Sequence, residues 1–149
     1  MAQATKIHWH LIFLAAFGML VVLVLSHVLF VAYYSYLMDP THEEAYYRQF
    51  AQHTGAPFVF FFAPLPIFLL ARWVGRKAKS GAMSHAVLIV AVMVILDVSI
   101  ATLAGQAEAL LSAGHLLPHI AKVAAALLGG WAAQKEQANE KAVQLNVAV

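Results

Sequence analysis

From Ile7 to Met38 the chain carries no Asp, Glu, Lys or Arg. A helix over that run, at about 1.5 Å per residue, is roughly 45 Å long and exceeds the ~30 Å hydrocarbon core of a bilayer. The expectation is a transmembrane helix that tilts or projects from the membrane. Trp9 marks one interface, and Tyr33, Tyr34 and Tyr36 mark the other, where amphipathic rings favour headgroup level. Asp39-Pro40 ends the helix, since proline cannot continue it and biases its predecessor away from helical geometry. The start resembles a secretory signal, with Lys6 before an apolar run. The run passes His27 without a small-residue cleavage site ahead of a polar chain, so it reads as a span that stays in place.

The rest of the chain agrees. Of 149 residues 62% are hydrophobic and 11% charged, against about 25% charged in a typical soluble domain. The absence of cysteine excludes a disulfide framework, thiol redox chemistry and a cluster ligated by cysteines of this chain. The net charge of +2 does not indicate nucleic acid, because the basic residues cluster beside apolar spans.

Three further spans follow. The polar connection PTHEEAYYRQFAQHTG, with Glu44 four residues before Arg48, suits a short amphipathic helix on the membrane surface. Thr54, Gly55 and Pro57 resemble a helix start, which places span two at about 56–75. Pro64 and Pro66 near its middle each remove an amide donor, predicting a kink. Span three covers about 84–107 and span four about 112–131. The polar tail, 134–149, is expected to extend the last helix for a turn or two before fraying.

The fold class predicted is all-α: a polytopic membrane protein built as a four-transmembrane-helix antiparallel bundle in one domain, 1–133. Lys6, Arg72, Arg76, Lys77, Lys79, Lys135 and Lys141 fall on one side of it and Arg48 alone on the other. The positive-inside rule then puts both termini in the cytoplasm of a cell with an inner membrane. The repeated pattern Leu-Leu-x-x-Trp-x-x-x-Lys, at 69–77 and 127–135, marks two cytoplasmic helix ends, where Trp and Lys anchor, rather than an internal duplication.

The informative residues are the charges inside the spans. Asp97 stands near the midpoint of span three and Lys122 near that of span four. Antiparallel neighbours place them at one depth, where pairing is the cheapest way to accommodate either. At about 100° per residue, His115, His119, Lys122, Ala126 and Gly129 share one stripe of span four. Asp97, Ala101, Ala104, Gly105 and Glu108 share one of span three. Both stripes mix polar groups with small residues that let helices approach. The polar cluster expected in the outer half is therefore Asp97, Lys122, His119 and His27, entered past His115, Glu108 and Gln106 and widened by the Pro64/Pro66 kink.

Three functions compete for that cluster. An ion pair that only fixes helix register implies a non-enzymatic subunit or assembly factor, covered by partner subunits or by copies of itself. A funnel of His, Glu and Gln leading to an Asp–Lys pair suits proton, ion or small-solute translocation. A b-type haem between His27 and His119, or a quinone beside His119 or Lys122 against FVFFFAP, suits electron transfer. His115 and His119 have metal-ligand spacing but no third ligand, and four short spans leave little wall for a retinal on Lys122. His8, His10 and His42 read as solvated surface residues. The sequence has no phosphate loop, nucleophile elbow or zinc-protease helix motif, so a familiar enzyme class is not supported.

Overall fold

The computed structural model describes residues 7–78, 81–105, 108 and 112–147. Among these there is no strand. Helix α1, Trp9–Tyr33, continues into a π-helical turn, Tyr34–Met38, that closes with the Asp39 amide on the Tyr34 carbonyl. The chain reverses at Asp39. Its carboxylate accepts from Thr41 Oγ1 at 3.0 Å and sits 3.0 Å from His42 Nε2, while its carbonyl accepts from the Tyr47 hydroxyl. Tyr34 stacks on Phe50 at 4.1 Å across the corner. Tyr34, one of the tyrosines expected at an interface, thus serves the turn.

Helix α2, Glu44–Phe62, begins with the expected Glu44–Arg48 pair at 2.6 Å but does not stop where a second helix was predicted to start. Thr54 is no cap: its hydroxyl donates to the Phe50 carbonyl at 2.8 Å, back along the same helix. Gly55 and Pro57 are interior positions, and the surface helix and the first half of span two are one continuous rod. The break comes later. Ala63 separates α2 from α3, Pro64–Lys77, and the two are bent by 46°. Pro64 opens α3 at a position where its missing amide costs no internal bond.

Helix α4, Ala82–Leu103, starts at Gly81, whose φ of 67° is left-handed, and ends before Gly105, at φ 74°. It therefore stops short of the predicted 107. Helix α5, Ala113–Val147, runs on well past the predicted 131 and holds most of the polar tail in helix. Long-range contacts account for the extension. Glu136 pairs with Arg72 at 2.6 Å and Arg76 at 3.4 Å, Glu140 lies 3.5 Å from Arg76, and Gln137 donates to the Gly75 carbonyl at 2.9 Å. Helices α1, α4 and α5 are long and apolar enough to cross a membrane, and α2 with α3 makes a fourth if the bent pair is one span.

The tightest packing is between α3 and α5, ahead of the α4–α5 hairpin. Small residues permit it. A Cβ on Gly129 would fall 2.9 Å from Ala71 Cβ and 3.1 Å from the Arg72 amide, and one on Gly130 would fall 2.8 Å from Ala86 Cβ. The buried core collects Ile12 and Ala16 of α1, Ile67 of α3, Ile89 and Met93 of α4, and Ala126 of α5. No residue of α2 is buried, and none of α4 beyond Met93. The molecule is dense at one end and open at the other.

Candidate functional site

At the boundary between the dense and open ends, Lys122 Nζ donates to Asp97 Oδ2. Each helix supplies its residue for a local reason. On α5 the succession Lys122, Ala126, Gly129 lies along the buried face, so the lysine stem is drawn inward. On α4, Asp97 follows Met93 by one turn, where the core ends and the helix leaves its neighbours. The pair is asymmetric: the Lys122 side chain is 5% exposed and that of Asp97 29%. His119, one turn before Lys122, brings Nδ1 to 3.9 Å from the same Asp97 oxygen. That is too long for a hydrogen bond, and the nitrogen is buried without a partner among the described residues.

All three side chains line a cleft of about 740 Å³. Its polar end is the Asp97–Lys122–His119 cluster, with His115 further along α5. Ser112 Oγ holds His115 through Nδ1 at 3.1 Å. Apart from Gln52 of α2, the remaining wall is aliphatic or small, with Leu20 and Val24 from α1, Val59 from α2 and Ile100 and Ala101 from α4. The α1 and α2 walls carry no sequence motif. Their only signal is the run of small residues on α2, Ala51, Gly55 and Ala56.

Other sequence candidates lie elsewhere. His27 is outside this lining. Its Nε2 lies 3.3 Å from Thr54 Oγ1, and its ring packs on Phe58 at 5.2 Å between centroids. Thr54 gives its proton to the Phe50 carbonyl, so His27 is the donor in that contact. Phe30, Phe58, Phe61 and Phe62 line a separate recess of about 450 Å³ with Thr54. The aromatic wall expected beside His119 therefore goes with His27, which lies behind Gly55 of the cleft wall, 3.6 Å from the position a Cβ there would take. The cleft takes Val59, a turn before the bend at Ala63, and not Pro64 or Pro66. Glu108 is exposed, and Gln106 lies outside the described residues.

One polar site was not anticipated. His85, fully buried in the first turn of α4, accepts the His8 backbone N–H at 3.2 Å through Nε2 and donates from Nδ1 to the Gly81 carbonyl at 2.9 Å. The two imidazoles lie 5.6 Å apart between centroids. His8, expected to be solvated, is half-buried, and its Nδ1 has no partner among the described residues. This clamp ties the start of α1 to the start of α4. The end of α3 carries Lys77 over Trp73 at 4.5 Å and the interior of α5 carries Lys135 over Trp131 at 5.5 Å, so each copy of the repeated Trp-x-x-x-Lys pattern is a cation–π pair.

Comparisons with protein-family models, with curated proteins and with solved structures find no match for this chain. The fold and the cluster define a class: an all-helical chain whose apolar helices fit a membrane protein, with a buried Lys122–Asp97 pair and a buried His85.

Proposed function

We propose that the chain is a non-enzymatic multi-pass protein of the inner membrane, with four spans in an antiparallel bundle and both termini cytoplasmic. In this reading it serves as the ligand-holding subunit of a larger or homo-oligomeric complex, and the Asp97–Lys122–His119 cleft is its binding site. One observation carries this: the ion pair stands at the end of a cleft rather than sealed between two helices. A pair that only fixes helix register needs no cavity beside it. A mostly apolar cleft with a few converging polar groups is the usual form of a small-molecule site.

The same geometry favours a pocket over a through-path in one protomer. Past Lys122, towards the dense end, Ala126 and Ala125 are buried, and Gly129 and Gly130 seat α5 against α3 and α4. Nothing polar continues that face until Glu136 and Gln137 meet α3. Orientation rests on the basic residues: Arg72, Arg76, Lys77, Lys135 and Lys141 lie at the α3/α5 end, opposite Arg48.

The natural lack of cysteine makes the test direct. Single cysteines at Ala104, Ala126 and Gln134 would be probed in intact cells and in inverted vesicles with a membrane-impermeant maleimide. Ala104→Cys should react from the outside, Gln134→Cys only in inverted vesicles, and Ala126→Cys in neither. Labelling of Gln134→Cys in intact cells would reverse the orientation, and protection of Ala104→Cys on both sides would remove the open cleft.

A further inference from the structure

The cleft's charge inventory selects its guest. Asp97 and Lys122 cancel each other, so the ion pair at the polar end is net neutral. A carboxylate or an ammonium brought alongside them would be a third charge in a weakly solvated place, and one charge would be left uncompensated. Hydrogen-bonding capacity, by contrast, is left over. The ammonium has three donors and gives one to Asp97 Oδ2. The Asp97 carboxylate, 29% exposed, keeps acceptor capacity beyond the one bond it takes from Lys122. Beyond this polar end, Leu20, Val24, Val59 and Ile100 offer apolar contact, and Gln52 is a further polar side chain on the α2 wall.

We infer that the cleft takes an uncharged amphiphile whose head both donates and accepts hydrogen bonds, a long-chain alcohol being the simplest member of the class. The head accepts from Lys122 Nζ and donates to the Asp97 carboxylate, and the chain lies along the aliphatic wall. This rests on the cleft being a binding site, as proposed above. It adds that selectivity is set by charge balance, so that removing one member of the pair should change the preferred guest rather than merely weaken binding.

The test uses the full-length protein in lipid nanodiscs with diazirine-tagged lauryl alcohol, laurate and laurylamine as probes. After photolysis, adducts on the cleft segments are measured by mass spectrometry relative to adducts at Leu14. Leu14 is strongly exposed on the apolar surface of α1 and reports partition into the bilayer alone. The wild type should give a cleft-to-Leu14 ratio for the alcohol about tenfold above that for either charged probe. Asp97→Asn should raise the laurate ratio by about tenfold and Lys122→Met should do the same for laurylamine. Ala101→Trp, which fills the cleft and leaves the pair alone, should lower every ratio to that of the lipid-facing background. A wild type that prefers laurate or laurylamine, or a preference unmoved in both pair variants, overturns this inference and leaves the binding site standing. Background ratios for all three probes in the wild type would sink both. Should the pair variants fail to fold, the wild-type panel with Ala101→Trp still decides the question.

Discussion

At the scale of single residues, the contact between Lys122 and Asp97 sets the sharpest expectation for stability. Removing one partner of a buried pair strands the other, at about 3–5 kcal/mol, while removing both with similar volumes is often close to neutral. Asp97 retains 29% exposure, which lets water compensate part of the loss and brings the expected cost to about 2–3 kcal/mol for Asp97→Asn or Lys122→Met alone. The double variant should be more stable than the sum of the single losses implies, by about 1 kcal/mol or more. Unfolding in mixed micelles checks this, and strictly additive losses would mean the two side chains are not coupled. The contact was legible because α4 and α5 each hold one Lys, Arg, Asp or Glu deep in an apolar run, and depth alone then matches them. Depth says nothing about rotation of α1 around its axis, so it could not show that the His27 ring contacts Thr54 and Phe58. His85 escaped notice for a different reason. A histidine in the first turn of a span ordinarily reads as solvated, and only the tertiary approach of His8 gives it a second partner.

At the scale of elements, the chain marks helix ends well where backbone chemistry is decisive and poorly where tertiary contacts decide. Asp39-Pro40 stops α1 and its π turn as expected. Thr54-Gly55-Ala56-Pro57 looks like a cap, yet the threonine bonds backward and α2 runs through it. The polar end of α5 looks like a fraying tail, yet Arg72 and Arg76 reach across to Glu136 and Glu140. These pairs are partly exposed, worth about 0.2–1 kcal/mol each, and act together along one face. Glycine roles separate in the same way. Gly129 lies where α5 meets α3, and a methyl there must push helices apart, at about 1–3 kcal/mol. Gly18 sits inside α1 with nothing within 4 Å of the position its Cβ would take, so Gly18→Ala should be neutral or stabilise by up to about 1 kcal/mol through helix propensity. Comparing Gly129→Ala with Gly18→Ala by the same unfolding assay tests whether α3–α5 contact holds the bundle. Equal stabilities would assign that role to another pair of helices.

At the scale of the whole molecule, the uneven distribution of buried residues makes a dynamic prediction. The end built from α3, the first half of α4 and the middle of α5 holds Ile67, Val74, Ile89, Met93 and Ala126 out of contact with the surroundings. The end built from α2, the second half of α4 and the start of α5 has no buried residue in α2 or in α4 beyond Met93, and the Asp97–Lys122 pair joins α4 to α5 there. Regions with few buried apolar contacts open at lower free energy than the core they adjoin, so α2 and the far half of α4 should move relative to one another while the dense end stays fixed. Spin labels at Gln49 and Leu103 span the open end, and labels at Arg76 and Gln134 span the dense one. Pulsed dipolar measurements in nanodiscs should give a broader distance distribution for the first pair than for the second. Ala101→Trp, by filling the space between α2 and α4, should narrow the first distribution and leave the second unchanged. Equally narrow distributions in the wild type would describe a rigid bundle with a preformed cleft. Broadening at the dense end would mean that the small-residue packing of α5 on α3 and α4 does not anchor the fold, and the pocket would then lose the fixed floor on which its selectivity depends.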